Sequence, residues 1–474
     1  YQPLDSGEPP EVKEAGWVRN PIDRYVLGDL ESADLPHSPE ADRAALLRRA
    51  HFDLTGLPPT PEEADAFLSD DRPDAYERLI DRLMDRPQFG ERQAQHWLDL
   101  AHYADTNGFE LDAERPDAWR YRDWLVAAMN ADMPYDRFVS LQVAGDEIAP
   151  GDRDALIATG FCRAGPREVV GGNIVPEVKR QNELTEITAT VGSVFLSLTV
   201  ACARCHDHKF DAIPTTDYYR LQAFFAAGEL SEPSIAQPAE VEAFEAAKKA
   251  VDEKAAPLRK EMAELEAPYR AAIAARRQAM LKDEERALLA IPEADRTAGQ
   301  PPAHAFALTD SSAEAPDSFV LRRGDPMTKG PRVEPRPPGV ILACQEGDAF
   351  DPASITPGEK TTGRRAALAK WLADEANPLV ARVIVNRLWQ QHFGRGLVST
   401  PSDFGVRGEP PSHPELLDWL AERLIEGGWK LKPIHRLMMT SAAYRQASRP
   451  IEALTEQDEP NDLLGRQNRR RVDA

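Results

Sequence analysis

The chain has 474 residues, 42% of them hydrophobic, with 57 basic and 79 acidic side chains and a formal charge of −22. That length allows two or three domains with packed cores, and the acidity argues against a nucleic-acid or anionic-membrane partner, since both need a basic face. No apolar run is long enough to span a bilayer, so no transmembrane segment is expected, and four cysteines are too few for a disulfide scaffold.

The chain opens YQPLDSGEPP, without an initiator Met, a basic leader region or an apolar core. It closes RQNRRRVDA within helix-forming sequence. Both ends read as cuts in a longer protein, the first left by a removed signal peptide or by fragmentation. Residues 18–160 read as helical. ADRAALLRRAHFDL places Ala44, Leu46, Leu47 and Ala50 on one face, and TPEEADAFLSD opens with a Pro-Glu-Glu start after Thr60. AYERLIDRLMDRPQFGERQAQHWLDLAHYAD continues at helical spacing, broken near Pro87 and Gly90. An apolar helix over 183–203 ends at a pair of cysteines. TTDYYRLQAFFAA then predicts a capped helix with Tyr218, Leu221, Phe224 and Phe225 inward.

Residues 239–290 are dense in Ala, Glu, Lys and Arg. They predict two long helices in a hairpin, broken near Pro257 or Pro268, with solvated charged faces. Residues 296–362 are Pro-rich, with strand-like pieces AHAFALTD, SFVLRRGD and GVILAC. Helical patterning returns over 363–450. The expected fold is therefore mainly α: a helical cytochrome-c-like domain over 1–235, a helical hairpin insert over 236–295, a small β/loop element over 296–362, and a second helical domain over 363–474, truncated at its end.

Chemistry concentrates in LTVACARCHDHKFDAIP, residues 198–214. Cys202-Ala203-Arg204-Cys205-His206 is a CxxCH sequence. In c-type cytochromes the two thiols add across the haem vinyl groups, and the following histidine ligates the iron. Cysteines three apart on one helical turn reach two vinyls of one porphyrin edge. In a chain of this composition roughly 0.0007 such motifs arise by chance, so the signal is specific. Haem c is therefore the expected cofactor, attached at Cys202 and Cys205 with His206 as axial ligand. Zinc is the rival. Cys202, Cys205 and His208 supply three ligands, with Cys162, Cys344 or a carboxylate as the fourth, but structural zinc sites usually come as two ligand pairs. His208 lies two residues past His206 and so cannot share the iron with it from the opposite face; it reads as a haem-propionate contact or a polar loop residue. Cys162 and Cys344, each isolated in sequence, read as buried thiols ahead of a mutual disulfide.

FDLTGLPPTPEE, HWLDLAHYADTNGFELDAERPDAWRYRDW, CARCHDHKFDAIPTTDYYRLQAFF, NRLWQQHFGRGLVSTPSDFG and SHPELLDWLAERLIEGGWKLKPIHRLMMTSAAYR resemble the planctomycete cytochrome-C-like proteins. In that family a cytochrome-like domain is paired with a second domain, both uncharacterised. The resemblance covers most of the chain outside 239–290. It implies a periplasmic or secreted location, a haem c, and proximity to carbohydrate and sulfated-glycan breakdown, with no settled reaction. His102 stands where an Arg is expected in relatives.

The chain is far larger than a simple electron carrier needs. Asp99 to Asp123 is dense in carboxylates, arginines and aromatics, the materials of a glycan-binding cleft. Asp105, Glu110, Asp112, Arg120 and Arg122 are the catalytic candidates, the three carboxylates as acid/base groups and the arginines to bind anionic groups. The competing reading is an ion-paired loop, with Arg120 and Asp123 at i,i+3. For the sixth iron ligand the candidates are His96, which Asp99 on the same helix can orient, and His102, Met129 and Met133. In the C-terminal part Asn386, Arg387, Trp389, His392, Asp403 and His413 read first as packing residues, with Ser412 as an N-cap.

Two functions follow. One is an extracytoplasmic haem c redox enzyme or electron-transfer component working on or near carbohydrate, with a redox partner protein. The other is a glycan-active hydrolase or lyase using Asp105, Glu110 and Asp112, with haem in a structural role.

Overall fold

Helix starts follow their capping residues. In the computed structural model, which describes residues 1–109, 112–168, 175–280, 304–345, 350–449 and 451–470, Asn20 opens α1 (Pro21–Ser32). Its side chain accepts from Ile22 N while Asp23 reaches back to the cap. After α2 (Arg43–Thr55), Thr60 and Glu63 repeat this reciprocal box ahead of α3 (Pro61–Leu68), with Pro61 at the first position as expected. On α2, Leu46, Leu47 and Ala50 are buried, but Ala44 faces out.

Next come α4 (Ala75–Met84), α5 (Pro87–Leu100), α6 (Trp119–Asn130), α7 (Tyr135–Ile148) and α8 (Arg153–Ala158). The expected break at Pro87 is the start of α5; the one at Gly90 is absent. Gly90 serves packing instead. A Cβ there would lie 2.3 Å from Asn130 Nδ2 and 2.5 Å from Val126 O, so only glycine lets α5 and α6 approach this closely. Trp97 of α5 sits at the centre of the core against Tyr135, Phe138, Phe161 and Phe195. The Trp97 indole N–H and the Tyr121 hydroxyl both donate to Gln142 Oε1, at 2.8 and 2.7 Å.

The apolar helix expected over 183–203 is α9 (Pro176–Phe195). It stops seven residues before Cys202, and a separate 3-10 turn, Val200–Arg204, carries the motif. Beyond it, α10 (Thr215–Gln222) buries Tyr218 and Leu221, and the following turn buries Phe224 and Phe225. No Thr or Asp at its start caps α10 through its own side chain; Asp207, from the preceding loop, accepts from Thr215 N at 2.8 Å.

The chain divides into two compact units, residues 1–231 with 306–474, and residues 232–305. In the second, α11 (Pro238–Met280) runs unbroken through Pro257 and Pro268, where a break was expected. Each proline removes one hydrogen bond, but its Ala-, Glu- and Lys-rich flanks have high helix propensity and carry the helix on. A returning hairpin arm would fall in 281–303, outside the described residues.

In the larger unit two antiparallel strand pairs are seen among the described residues. β1 (Gly228–Ser231) pairs with β2 (Ala307–Asp310), and β3 (Ser318–Leu321) with β4 (Lys329–Val333). The first two expected strand pieces hold β2 and β3. GVILAC does not form a strand: it contains α12 (Gly339–Leu342), started by Pro338. The closing helices are α13 (Arg364–Leu372), α14 (Val380–Phe393), α15 (Pro414–Glu426), α16 (Leu431–Thr440), α17 (Ala442–Arg445) and α18 (Glu452–Gln457). His413, not Ser412, occupies the cap position of α15. The two helical regions interlock: α13 packs on α7, and α16 on α4. Arg365 of α13 is fully buried among Asp146, Glu147 and Asp310. The molecule is thus mainly helical, and no helix among the described residues is long and apolar enough to cross a membrane.

Candidate functional site

The CxxCH loop is built between α9 and α10. A 3-10 turn has three residues per turn, so residues i and i+3 stack on one side. Cys202 lies in that turn and Cys205, three residues on, is its cap; both thiols are free and exposed. His206 is exposed as well, and its Nδ1 lies 2.8 Å from its neighbour's carbonyl, Asp207 O. A ring that donates from Nδ1 to a backbone oxygen presents an unprotonated Nε2.

His208 is turned the other way and is nearly buried. Its Nδ1 accepts from Asp211 N at 2.9 Å and Phe210 N at 3.3 Å, so its proton sits on Nε2, 3.1 Å from Thr199 Oγ1. Both ring nitrogens are therefore spent inside the loop, which leaves His208 neither a zinc ligand nor a propionate donor. Among the described residues no group of three or more His, Cys, Asp or Glu side chains converges on a metal position. Cys162 is a buried thiol donating to Gln142 O, its pKa pushed up to about 12 by burial. Cys344 is half-buried and donates to Val340 O at 3.2 Å. The two are not bonded to each other.

The C-terminal segment holds this loop in place. Phe404 N donates to Ser197 O at 2.7 Å, and the Ser197 hydroxyl to Pro401 O at 2.8 Å. Val406 N donates to Asp211 Oδ1 at 2.6 Å. Asp403 accepts from Gly405 N at 3.0 Å and shapes that turn. Arg387 donates to the Ser193 and Val194 carbonyls at the end of α9, and burial lowers its pKa to about 10. Asn386 pairs with Val398 in both directions, and Trp389 stacks on Phe393. Beside the motif the loop leaves Phe210 44% and Val406 73% exposed. Lys209 and Arg407 flank the Phe210 ring at 5.1 and 4.8 Å. Arg204 donates toward Gly324 O, and the Tyr219 hydroxyl donates to Arg204 O at 2.9 Å. Tyr219 also lines an apolar cleft of about 400 Å³ with Leu184, Phe319 and Leu321.

The second constellation is a hydrogen-bonded hairpin. Thr106 and Glu114 form a bridge, Arg115 N donates to Asp105 O, and Asn107 N to Ala113 O. Arg115 ties it to the core through the Ala164 and Gly165 carbonyls, both at 2.7 Å. Asp105 accepts from the Tyr103 hydroxyl at 2.7 Å. Asp112 accepts from Gly108 N at 2.9 Å, and its bonds to Thr106 and that N–H hold it below the usual carboxylate range. A general acid needs the opposite shift. Glu110 lies outside the described residues. Arg120 pairs with Asp117, not with Asp123 as expected, and lies over Trp119; Arg122 pairs with Asp123.

The four candidate sixth ligands are dispersed. His102 pairs with Glu186 at 2.7 Å, an ion partner that raises its pKa. Met129 and Met133 surround a small internal gap with Phe89 and Leu431. His96 lines a cleft with Asp53 and Arg470. Behind that cleft is an array the sequence reading missed. The Tyr444 hydroxyl donates to Asp53 Oδ2 at 2.7 Å, His392 Nδ1 stands 3.8 Å from it, and His392 Nε2 is 2.7 Å from His435 Nδ1. Burial, then His392, drives the His435 pKa well below the usual value. Its members come from α2, α14, α16 and α17, and no local pattern marks them. His413 is also buried, which lowers its pKa to about 4; its Nδ1 meets Ser412 Oγ at 2.9 Å.

Residues 21–229 match the family described as PSCyt2, a protein of unknown function (DUF1549), and residues 364–474 that described as PSD1, a protein of unknown function (DUF1553). The first bears a cytochrome-like name, and both point to a planctomycete-type family with uncharacterised domains. No curated protein and no solved structure matches the chain.

Proposed function

We propose that the loop over 202–206 is a covalent haem c attachment site and that the chain works as an extracytoplasmic redox enzyme or electron-transfer component. The observation that carries this is the combination of two free, exposed thiols three residues apart, one in a 3-10 turn and one at its cap, with an exposed imidazole whose Nδ1 is already engaged. Cys202 and Cys205 would hold the group, and His206 would ligate through Nε2, its ring fixed by Asp207 O. Bound there, the haem supplies one-electron chemistry at iron. Phe210 and Val406 offer apolar surface to a porphyrin face. Arg204, Lys209 and Arg407 offer cations to its propionates. The family resemblance supports the periplasmic or secreted compartment and a setting in carbohydrate breakdown. The hydrolase reading has less support, because Asp105 and Asp112 are engaged in holding the hairpin.

The test is expression with a haem-attachment system, followed by a visible spectrum and a denaturing gel stained for haem. A Soret band that survives denaturation, and that is lost in the double variant Cys202→Ser/Cys205→Ser, is expected. His206→Ala should keep the covalent haem and change its spin state. A colourless protein under conditions that mature a control cytochrome c overturns the proposal.

A further inference from the structure

The molecule carries 79 acidic side chains against 57 basic ones, so acid outweighs base over the chain as a whole. One cleft breaks this pattern. A cavity of about 670 Å³ is lined from α2 by Arg48, Arg49, Phe52 and Asp53, from α5 by Arg92 and His96, and from the closing segment by Arg469 and Arg470. Among the described residues that is five arginines against a single carboxylate.

The one carboxylate is already committed. Asp53 takes Arg470 on one oxygen and the Tyr444 hydroxyl on the other. Arg48, Arg49 and Arg469 make no ion pair among the described residues. Arg48 lies over the Phe52 ring at 4.9 Å. Arg49 is fixed by the Tyr444 and Gln446 carbonyls, and Arg469 by Ser448 O at 3.2 Å. Arg470 is held by Gln391 O as well as by Asp53. Backbone carbonyls thus anchor one edge of Arg49, Arg469 and Arg470, and the Phe52 ring supports Arg48. An arginine has five N–H donors, and one or two contacts leave the others for a ligand.

Grouping unpaired cations costs Coulomb energy that an acidic chain could relieve with one nearby carboxylate. Among the described residues that relief is absent, while Arg49, Arg469 and Arg470 are held in advance, the condition under which arginine binds oxyanions best. The volume falls in the range of small-molecule sites. Gln391 and Gln467, also in the lining, each keep a buried side-chain oxygen without a partner.

We infer that this cleft binds a small polar molecule bearing a sulfate, phosphate or carboxylate group, through Arg48, Arg49 and Arg469. The site needs no haem, so its test is independent of the preceding proposal.

The experiment is calorimetric titration of the 474-residue chain, without cofactor loading and at low ionic strength. The ligands are inorganic sulfate, inorganic phosphate, glucuronate, a sulfated disaccharide and the neutral disaccharide cellobiose. The anions should bind and cellobiose should not, and the order among the anions identifies the source of the charge. The double variant Arg48→Ser/Arg469→Ser removes two exposed arginines that carry little of the fold. It should weaken binding at least tenfold while circular dichroism stays unchanged. Arg72→Ser, which removes an arginine paired with Asp70 elsewhere, should leave binding intact. Anion binding no tighter than that of cellobiose, or equal binding by the double variant, overturns the inference.

Discussion

Arg387 reaches back 194 residues to cap α9, donating from Nη2 to the Ser193 carbonyl at 2.8 Å. Its other terminal nitrogen takes the Val194 carbonyl. A helix ends with carbonyls that lack partners and with negative partial charge, so a buried guanidinium there satisfies both bonding and charge. Burial lowers its pKa to about 10, yet it remains protonated at neutral pH. Arg387→Met would keep most of the volume and strand two carbonyls. A loss of about 2–4 kcal/mol is expected, measured by urea unfolding. Hydrogen exchange should rise at the end of α9 and in the 197–206 loop. Unchanged exchange there would separate the cap from the motif.

A second tie is steric. Val406 N sits on Asp211 Oδ1, and a Cβ on Gly405 would lie 2.5 Å from Asp211 Oδ2 and 2.6 Å from Oδ1. Gly405→Ala must therefore push the 397–408 segment off the loop after CxxCH. The expected cost is about 2 kcal/mol by thermal melting. Asp211→Asn should cost less, because its amide oxygen can still accept from Val406 N. A Gly405→Ala protein as stable as the parent would show that the contact is not tight.

The CxxCH motif and the inward face of α10 were legible because each is local. Spacing along a helix or turn decides which side chains share a side. His208 shows where locality ends: two nearby backbone donors hold its Nδ1, but its Nε2 finds Thr199 only because the loop closes back on it. The array Asp53–His392–His435 joins residues up to 382 apart, and nothing in one sequence says that they meet. The same holds for the hairpin closed by Thr106 and Glu114. Its charged composition suggested a cleft, while the pairing Thr106–Glu114 turns those groups to holding the chain. The break expected at Pro257 or Pro268 failed for another reason. A proline penalty is finite, and the Ala-, Glu-, Lys- and Arg-rich flanks of a 43-residue helix outweigh it.

The core offers a cleaner test of buried polar satisfaction. Gln142 Oε1 accepts from both Trp97 Nε1 and the Tyr121 hydroxyl, and its amide donates to Phe138 O at 3.1 Å. Gln142→Leu nearly conserves volume but orphans two donors in a dry site. Each orphan costs about 1–3 kcal/mol, so a loss of about 3 kcal/mol is expected by chemical denaturation. Gln142→Glu should cost more at neutral pH, because it adds a buried charge.

The hairpin carboxylates separate its structural role from a catalytic one. Asp105→Asn keeps an oxygen to accept from Tyr103, and Asp112→Asn one to accept from Gly108 N. Any turnover found for the protein should therefore survive both changes within about twofold on the structural reading, in which these carboxylates hold the chain and move no proton. The Asp112 pKa is depressed. Its stabilising effect is thus present above the unfolded carboxylate pKa and fades as pH falls through the folded value. A hundredfold drop in turnover with unchanged melting would restore the acid/base role.

Glu147 supplies the clearest pH dependence. Its Oε2 accepts from Ala366 N at 2.7 Å, and Arg365 Nη2 stands 3.5 Å from its Oε1. Arg365, however, is shared with Asp146 at 2.7 and 2.8 Å and with Asp310 at 2.9 Å. One guanidinium cannot neutralise three carboxylates. Burial first, and then the Asp310 charge, push the Glu147 pKa up to about 8. Burial also works upward on Asp310, but Arg365 outweighs it and keeps that pKa low. The proton of the cluster therefore stays on Glu147. Because the folded pKa is raised, this proton contributes stability fully below the unfolded glutamate value, near 4.5. The contribution is lost as pH rises through about 8. A decline on the order of 3 kcal/mol between pH 5 and 9 is expected from linkage, read as urea midpoints across that range. Glu147→Gln carries the neutral form permanently and should flatten the decline while leaving stability at pH 5 within about 1 kcal/mol. If the variant declines as steeply as the parent, the titrating group is elsewhere.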